Sequence, residues 1–428
     1  MAVTPPPASG RMPVSGQAGG EVKPPVFIFY YSKNNRASFN ALAGALESSG
    51  PPGLELLFPE TETDLLETVR TALDRGRRPA AGLSFFTSQA SGARNLISRL
   101  RGRFGNDVAI LAGGPHPSGA PEEVLAMGAD CVVRGEGEKT IIRLAKLFLE
   151  GGRAAGTINS CPGTAALDDF PPFSPKWHLF GPIEITRGCP FGCAYCQTTY
   201  LAGARPRHRS LENLLALTEL MNSEKLKSVR FISPDAFAYG SPDGRRLVPE
   251  QVEKLLKGVR GILGREGQIF FGSFPSEVRP DHVTPELLEL TRRYATNKRL
   301  VIGAQSGSGR MLEAVRRGHT VDDIYRAVKL AAAAGFGTDV DFIFGLPGET
   351  AKDEEATISV MKDLTDLGAR IHAHTFMPLP QTPLARARPS PISPKAEKFL
   401  KNLCSGGKAF GQWEAQRTIG QKALRNMP

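Results

Sequence analysis

The sequence predicts an α/β protein made of two parallel-sheet domains in tandem, and three observations support this. Short apolar runs rich in β-branched and aromatic residues alternate with amphipathic helical stretches, an order typical of parallel sheets. The length of 428 residues suits two or three domains. A proline-rich stretch without hydrophobic periodicity, residues 152–182, interrupts the alternation and is interpreted as a linker.

Composition and charge narrow the class of protein. With 41% hydrophobic and 22% charged residues the chain is globular, and no apolar run approaches the ~18 residues of a membrane span. The N-terminus lacks the apolar core of a signal peptide, so a cytoplasmic protein is expected. The net charge of +10 is concentrated in residues 386–428, which hold nine Lys and Arg but two Asp and Glu. This predicts a solvated basic tail, and neither a membrane nor a nucleic acid is expected as a partner.

Residues 25–151 predict a doubly wound parallel sheet. A leader of residues 1–24, rich in Pro, Gly, Ser and Ala, precedes it and is expected to be disordered. Five strand-like runs alternate with helical patterns, which implies helices on both faces and a ligand site at the carboxyl ends of the strands. The predicted strands are Val26–Tyr31, Leu54–Phe58, Ala81–Thr87, Val108–Ala112 and Cys131–Val133.

Residues 183–385 repeat the alternation and predict a partial, open barrel. Six βα units in about 200 residues are too few for a closed eight-stranded barrel of typically ~250 residues. The site is again expected at the carboxyl ends of the strands, and helices are expected to begin after Thr284 and Thr320. The predicted strands are Ile183–Thr186, Val229–Ser233, Ile269–Phe274, Leu300–Gln305, Asp339–Phe344 and Ile371–Phe376.

Three of the six cysteines stand within eight residues, directly after the first strand of the second domain. Cys189, Cys193 and Cys196 have the spacing Cys-x3-Cys-x2-Cys, and three thiolates on a short loop can hold three irons of a [4Fe–4S] cluster. Because such clusters normally have four thiolates, the fourth iron would be left open. A structural zinc site is disfavoured, since it needs a fourth ligand at short spacing and the next histidine along the chain, His208, follows twelve residues after Cys196.

This motif, at this place in a partial barrel, resembles the radical S-adenosylmethionine (SAM) enzymes. The resemblance implies that SAM binds the open iron and is reductively cleaved to a 5′-deoxyadenosyl radical, with an electron donor such as flavodoxin or ferredoxin. Asp235 stands where many members have the glutamate of Gly-Gly-Glu, and this departure leaves its role open. By turn chemistry alone, a purely structural role in their loops is as well supported for Asp235 and Ser306 as SAM binding. The SAM-binding residues implied by the resemblance are Tyr195, Ser233, Asp235, Gln305, Ser306, Ile343 and Gly345.

The first domain resembles the cobalamin-binding domain found upstream of some radical SAM barrels. Gly-Gly-Pro-His after the fourth strand and Gly-Glu-Gly-Glu after the fifth are the motifs concerned, and the resemblance covers roughly residues 25–385. The missing Asp-x-His-x-x-Gly after the first strand leaves a degenerate, cofactor-free domain as the alternative. NAD and a phosphate loop are disfavoured because neither glycine pattern is present. The cobalamin contacts implied are Thr87, Ser88, Gly113, Gly114 and Gly135.

These resemblances predict a radical SAM enzyme and leave three functions open. The first is cobalamin-dependent methyl transfer to an unactivated carbon, or to phosphorus, of a small-molecule or peptide substrate. The second is a rearrangement or cyclisation by the adenosyl radical, with or without cobalamin. The third is a non-catalytic cobalamin- or redox-responsive binding protein, against which the intact cysteine triplet argues. Cys131, Cys161 and Cys404 stand singly, so a second cluster is not expected.

Overall fold

The computed structural model of the chain describes residues 23–160 and 165–425. They form two compact units, the first of residues up to Ala165 together with Asp169–Gly181, the second of Ala166–Asp168 together with the chain from Pro182 onward. Most of the predicted leader and Cys161 lie outside the described residues. Among the described helices, none combines the length and the apolar character that crossing a bilayer requires.

The first unit is a parallel six-stranded sheet with helices on both faces, as predicted. Its strands are β1 (Pro25–Phe29), β2 (Glu55–Leu57), β3 (Arg78–Ser84), β4 (Ala109–Gly113), β5 (Cys131–Arg134) and β6 (Gly156–Asn159). Its helices are α1 (Arg36–Ser49), α2 (Glu62–Asp74), α3 (Ala90–Phe104), α4 (Pro115–Gly119), α5 (Pro121–Ala126) and α6 (Glu138–Leu149). The spatial strand order is β2-β1-β3-β4-β5-β6. Alternate residues of β1 enter two separate cores, Val26 and Ile28 one and Phe27 and Phe29 the other, because side chains alternate across a strand.

The linker predicted over residues 152–182 is wrong for most of its length. Gly156–Asn159 is the sixth strand and pairs in parallel with β5. Further on, Phe173 and Leu179 are buried, and Ser174 donates a hydrogen bond to Glu47 of α1. A proline-rich segment that packs as irregular chain has no periodicity, so its burial left no pattern in the sequence.

The second unit contains the predicted partial barrel. Its strands are β7 (Ile183–Glu184), β8 (Thr186–Arg187), β9 (Arg207–His208), β10 (Ser228–Ile232), β11 (Gln268–Phe270), β12 (Arg299–Gln305), β13 (Gly337–Phe344), β14 (Arg370–Thr375) and β15 (Ala409–Phe410). Its helices are α7 (Thr198–Ala202), α8 (Leu211–Ser223), α9 (Pro249–Leu263), α10 (Pro285–Tyr294), α11 (Gly309–Ala314), α12 (Val321–Ala333), α13 (Ala351–Asp366), α14 (Pro394–Ser405) and α15 (Trp413–Arg425). Thr284 and Thr320 cap α10 and α12, as predicted.

The main strands of this unit form one parallel run. A three-stranded sheet, β11-β10-β7, and a four-stranded sheet, β12-β13-β14-β15, are joined by the chain that follows β11. In this chain Gly272 accepts a backbone hydrogen bond from Val301 at 2.9 Å, and Val278 pairs in parallel with Ile302. The carboxyl ends of the strands therefore meet at one end of an open barrel, where the cysteine loop also lies.

The basic tail predicted over residues 386–428 is wrong within the described residues. The chain folds back as α14, adds β15 to the sheet beside β14, and ends in α15. Trp413 is 4% exposed, and its backbone oxygen accepts a hydrogen bond from Thr375 Oγ1 at 2.9 Å. The second unit therefore does not end at residue 385 but continues through α14, β15 and α15.

Candidate active site

The three cysteines lie on one loop at the carboxyl end of the first barrel strands. The loop opens at Gly188, where φ is 94° and a Cβ would lie 2.4 Å from the carbonyl oxygen of Arg205, so only glycine fits. It leads into α7, where Thr199 Oγ1 donates a 2.8 Å hydrogen bond to the carbonyl oxygen of Cys189. Close packing at Gly188 and the hydrogen bond from Thr199 thus hold the cysteine loop in place.

The chemistry of the donor set fits a cluster held by three thiolates. Burial raises the pKa of Cys189 to about 11 and also raises the pKa of Cys196, although Thr198 hydrogen-bonds the latter. Iron binds the deprotonated form, so ligation releases protons and favours a nearby positive charge. Arg317 supplies that charge, because its buried guanidinium Nη1 lies 3.7 Å from Cys193 Sγ.

A second buried cation lies beside the loop. The guanidinium of Arg279 stands 3.4 Å from the ring centroid of Phe191, within the cysteine motif. Its Nη2 donates a 2.9 Å hydrogen bond to the carbonyl oxygen of Arg317, and its Nε pairs with Asp281 Oδ1 at 3.1 Å. Neither arginine was singled out from the sequence, since an arginine within a loop carries no recognisable spacing.

Several of the residues predicted to bind SAM come together around this loop. Tyr195 and Ile343 pack in one apolar cluster with Met311 and Leu346, which provides a surface for a planar base. Gly345 follows β13 with φ at 71°, and its N–H lies 2.7 Å from Glu349 Oε2. The structure thus brings Tyr195 and Ile343 into one cluster, while the contact of these residues and of Gly345 with SAM stays a prediction.

Gln305, Glu277 and Arg317 converge over Gly303. A Cβ on Gly303 would lie 2.6 Å from Arg317 Nη2, 2.9 Å from Gln305 Nε2 and 3.0 Å from Glu277 Oε2, so the absent side chain makes room for three polar groups. Burial raises the pKa of Glu277 to about 7; Arg317 opposes this shift, and the carboxylate of Asp341 adds to it. Glu277 was not recognised in the sequence, because it follows an irregular end of the third barrel strand.

Three predicted SAM residues have other partners in the structure. Asp235 Oδ2 is hydrogen-bonded to buried His282, while its Oδ1 is buried without a partner among the described residues. Ser233 Oγ donates a 2.8 Å hydrogen bond to the carbonyl oxygen of Asp235 and so holds the turn. Ser306 is fully buried against α13, where its hydroxyl lies 3.3 Å from Thr357 Oγ1. The hydroxyls of Ser233 and Ser306 thus stabilise loops, which is the alternative that turn chemistry offered for Ser306.

A polar cluster of Asp341, His372 and His374 lies on the face of β13 and β14 that also carries Ile343. Asp341 Oδ1 and His372 Nδ1 are 2.8 Å apart, His372 Nδ1 and His374 Nε2 are 3.2 Å apart, and the third side measures 3.9 Å. A point about 2.0 Å from all three atoms exists, the length of a bond from zinc to nitrogen or oxygen. The signal in the sequence was the His-x-His of β14.

The hydrogen bonds of Gln416 decide how this cluster is protonated. Gln416 Oε1 accepts the backbone N–H of Thr375 at 2.9 Å, so its amide Nε2 must donate to His374 Nδ1, 3.2 Å away. Burial, together with His372, lowers the pKa of His374, which is therefore neutral with its proton on Nε2. A protonated Nε2 cannot ligate a metal, so His374 in this tautomer is not a metal ligand.

The residues predicted to contact cobalamin lie at the carboxyl edge of the first sheet. A Cβ on Gly113, at the end of β4, would meet only the carbonyl oxygen of Val133 at 3.8 Å, so the space above this strand end is open. Gly114 has φ at 94°, and a Cβ there would lie 2.8 Å from Ser84 Oγ. Thr87 begins a short 3-10 turn after β3. Within that turn the side chain of Ser88 is exposed, so it is accessible at this edge.

Gly135 and His116 complete this edge. Gly135, with φ at 90°, donates its N–H to Ser118 Oγ at 3.0 Å. The ring of His116 is buried between Thr87 Oγ1, 3.2 Å from Nδ1, and Glu123 Oε2, 3.5 Å from Nε2. At this edge the missing side chain of Gly113 leaves room for a ligand, whereas the imidazole of His116 is already enclosed.

Two family models match the chain in the same places. The radical SAM superfamily model matches residues 183–361, and the B12 binding domain model matches residues 35–145. Together they cover about two thirds of the chain. The chain belongs to the radical SAM superfamily and carries a B12-binding domain. It is a radical SAM enzyme, whose cofactors are a [4Fe–4S] cluster, SAM and cobalamin.

The chain is similar to curated proteins and to solved structures. An uncharacterized protein of Methanopyrus kandleri is 25% identical over 80% of this chain and 73% of its own length. An uncharacterized methyltransferase of Pyrococcus horikoshii is 25% identical over 63% of this chain and 61% of its own. Among solved structures, the radical SAM methyltransferase TsrM of Kitasatospora setae, with cobalamin and a [4Fe–4S] cluster bound, matches with a TM-score of 0.62 and 16% identity, covering 85% of this chain and 77% of that chain. The cobalamin-dependent radical enzyme OxsB matches with a TM-score of 0.60 and 18% identity, covering 79% and 52%. These two structures show the same fold.

Proposed function

We propose that this radical SAM enzyme transfers a methyl group from SAM to an unactivated carbon, or to phosphorus, of a small-molecule or peptide substrate in a cobalamin-dependent reaction. The observation that carries the proposal is the occurrence, in one chain, of a three-cysteine loop and an open, glycine-lined edge of a B12-binding domain. The names of two similar proteins, an uncharacterized methyltransferase and the methyltransferase TsrM, support methyl transfer over the other reactions.

The cofactors supply the difficult chemistry when bound, an electron for SAM cleavage and a cobalt that can carry a methyl group. The chain's own residues bind and orient them. In this proposal Cys189, Cys193 and Cys196 hold the iron, and Tyr195 with Ile343 covers the adenine and keeps water from it.

The polar groups over Gly303 are suited to the charged end of SAM. Arg317 offers a cation to a carboxylate, and Gln305 offers an amide N–H. Glu277, with a pKa raised to about 7, can accept a hydrogen bond from an amino group or hold a proton of its own. These three side chains would therefore orient SAM by its carboxylate and amino group.

The substrate and the electron donor are part of the same proposal. The cluster of Asp341, His372 and His374 offers polar groups to a substrate, since the two histidine side chains are about a quarter exposed. A net charge of +10 complements an acidic electron donor such as flavodoxin or ferredoxin. Such donors and reduced thiols are typical of the cytoplasm, where we place the protein.

Product analysis tests the proposed reaction. The protein is reconstituted anaerobically with iron, sulfide and SAM, with and without cobalamin, and supplied with reductant and a metabolite extract as the source of substrate. We expect both 5′-deoxyadenosine and S-adenosylhomocysteine, the latter only with cobalamin. Deoxyadenosine alone would instead indicate rearrangement or cyclisation. Cys196→Ala should yield neither product, whereas the matched control Cys404→Ala, outside the cysteine loop, should yield both.

A further inference from the structure

Arg317 is held in one orientation against the cysteine loop. Its side chain is buried, at 5% exposure, and lies between the loop and β12. Nε and Nη2 both donate to the carbonyl oxygen of Gly303, at 3.3 and 2.7 Å, which leaves Nη1 directed at Cys193 Sγ, 3.7 Å away. A guanidinium cannot lose its proton in a protein, so this is a permanent buried cation next to a cluster ligand.

We propose that Arg317 sets the reduction potential of the [4Fe–4S] cluster through its contact with Cys193 Sγ. Reduction adds one electron to the cluster, and the added negative charge is stabilised by an adjacent cation and by a hydrogen bond to a ligand sulfur. Arg317 therefore raises the potential and makes the cluster easier to reduce by a flavodoxin- or ferredoxin-type donor. Arg317 acts through its contact with Cys193 Sγ and does not itself bind iron.

Neighbouring groups show why the effect belongs to this arginine. Arg279 is also cationic, but it pairs with Asp281 and stacks on Phe191, and the described structure gives it no hydrogen bond to a cysteine sulfur. A lysine in place of Arg317 would keep the charge but lose the planar fork that fixes Nη1 on the sulfur. Both the charge and the fork are therefore open to separate tests.

The inference rests on the cluster and goes beyond the proposed methyl transfer, so it is tested without a substrate. The cluster is reconstituted in wild type, Arg317→Lys, Arg317→Gln and Arg317→Met, and iron and sulfide are measured first. The midpoint potential is then read from the reduced-cluster electron paramagnetic resonance signal during a dithionite titration without SAM. Arg260→Met is the matched control, since Arg260 also binds backbone carbonyls, those of Tyr294, Gly264 and Gly267, but at the amino ends of the strands.

We expect the midpoint potential of the cluster to become more negative in the order wild type, Arg317→Lys, Arg317→Met. The midpoint potential of Arg260→Met should equal that of the wild type. In protein labelled with ¹⁵N-arginine, pulsed electron paramagnetic resonance should show a hyperfine coupling between ¹⁵N and the reduced cluster. This coupling should disappear in Arg317→Lys. Unchanged potentials in variants that retain full iron and sulfide would overturn the inference, as would the absence of that coupling in wild type. If Arg317→Met loses its cluster, the midpoint potential of Arg317→Gln is compared with that of the wild type instead, because this variant also lacks the charge. A wild type that assembles no cluster would overturn the cofactor assignment and this inference together.

Discussion

At the scale of single residues, the two adjacent glycines at the end of β4 are there for different reasons. Position 114 requires glycine, because φ is 94° and a side chain would clash with Ser84. Gly113 has no such constraint, so its lack of a side chain leaves space free for a ligand. We therefore expect Gly113→Leu to fold normally and to lose bound cobalamin, measured as cobalamin absorbance after gel filtration.

The comparison needs a glycine elsewhere that is equally free to accept a side chain. Gly102 lies on the exposed face of α3, where a Cβ would meet nothing within 4 Å and φ is not positive. Gly102→Leu should keep both the melting temperature and the cobalamin content. Full cobalamin retention by Gly113→Leu would show that the cofactor does not approach this strand end.

Glu349 gives the barrel a defined pH dependence. Burial raises its pKa to about 7, above the ordinary value of 4.5, although the N–H of Gly345 opposes the shift. The folded state therefore binds more protons than the unfolded state between these values, and the stability this provides is lost as the pH rises towards 7. Relative to Glu349→Gln, wild type should lose on the order of 2 kcal/mol of unfolding free energy from about pH 5 to pH 8. A constant difference in urea unfolding across this range would contradict the assignment.

The protonation of the Asp341, His372 and His374 cluster leads to a gain-of-function prediction. A glutamate at position 416 would accept both the Thr375 N–H and a proton on His374 Nδ1, which frees Nε2 to bind a metal. With the three loop cysteines changed to Ala, we expect Gln416→Glu to bind Co²⁺, seen by its visible absorbance, and the parent to bind much more weakly. Adding His372→Gln should remove the binding, and equal affinity with and without Gln416→Glu would refute the proton assignment.

At the scale of elements, the last strand and helix complete the barrel. Thr375 at the end of β14 bonds to both Trp413 and Gln416 of α15, so helix and strand are joined by side chain and backbone. Trp413→Ala should cost about 3 kcal/mol or more of stability because it empties a buried site. Leu367→Ala, at a 40% exposed position, should change stability by no more than about 0.5 kcal/mol. Equal unfolding midpoints for the two variants would mean that α15 does not stabilise the barrel.

The elements that sequence reasoning missed share a physical cause. Most predicted strands matched the structure to within about three residues, as at Val26–Tyr31 and Asp339–Phe344, whereas the predicted Ile269–Phe274 ends four residues beyond β11. β6 and β15 are short and lie among prolines or basic residues, so their few apolar side chains form no run. Their pairing depends on contacts with β5 and β14, which are distant in sequence and carry no local signal.

At the scale of the whole molecule, the sequence predicted the two sheets and the cysteine loop but not the charged groups around the loop. Thiolate spacing is a local pattern, so Cys189, Cys193 and Cys196 were recognisable without a structure. Arg317 follows α11 and Glu277 lies in the chain after β11, so only the folded barrel brings them together over Gly303. Likewise, the His-x-His of β14 is a local pattern, but its carboxylate partner Asp341 is brought beside His372 only by the pairing of β13 with β14.

The iron–sulfur cluster and cobalamin are each expected at the carboxyl edge of their own parallel sheet. The most direct measurement is the content of iron, sulfide and cobalamin in the wild-type protein after anaerobic reconstitution and gel filtration. We predict a complete [4Fe–4S] cluster together with stoichiometric cobalamin. A protein that retains the full cluster but no cobalamin would contradict this assignment and indicate that the first domain has lost its cofactor.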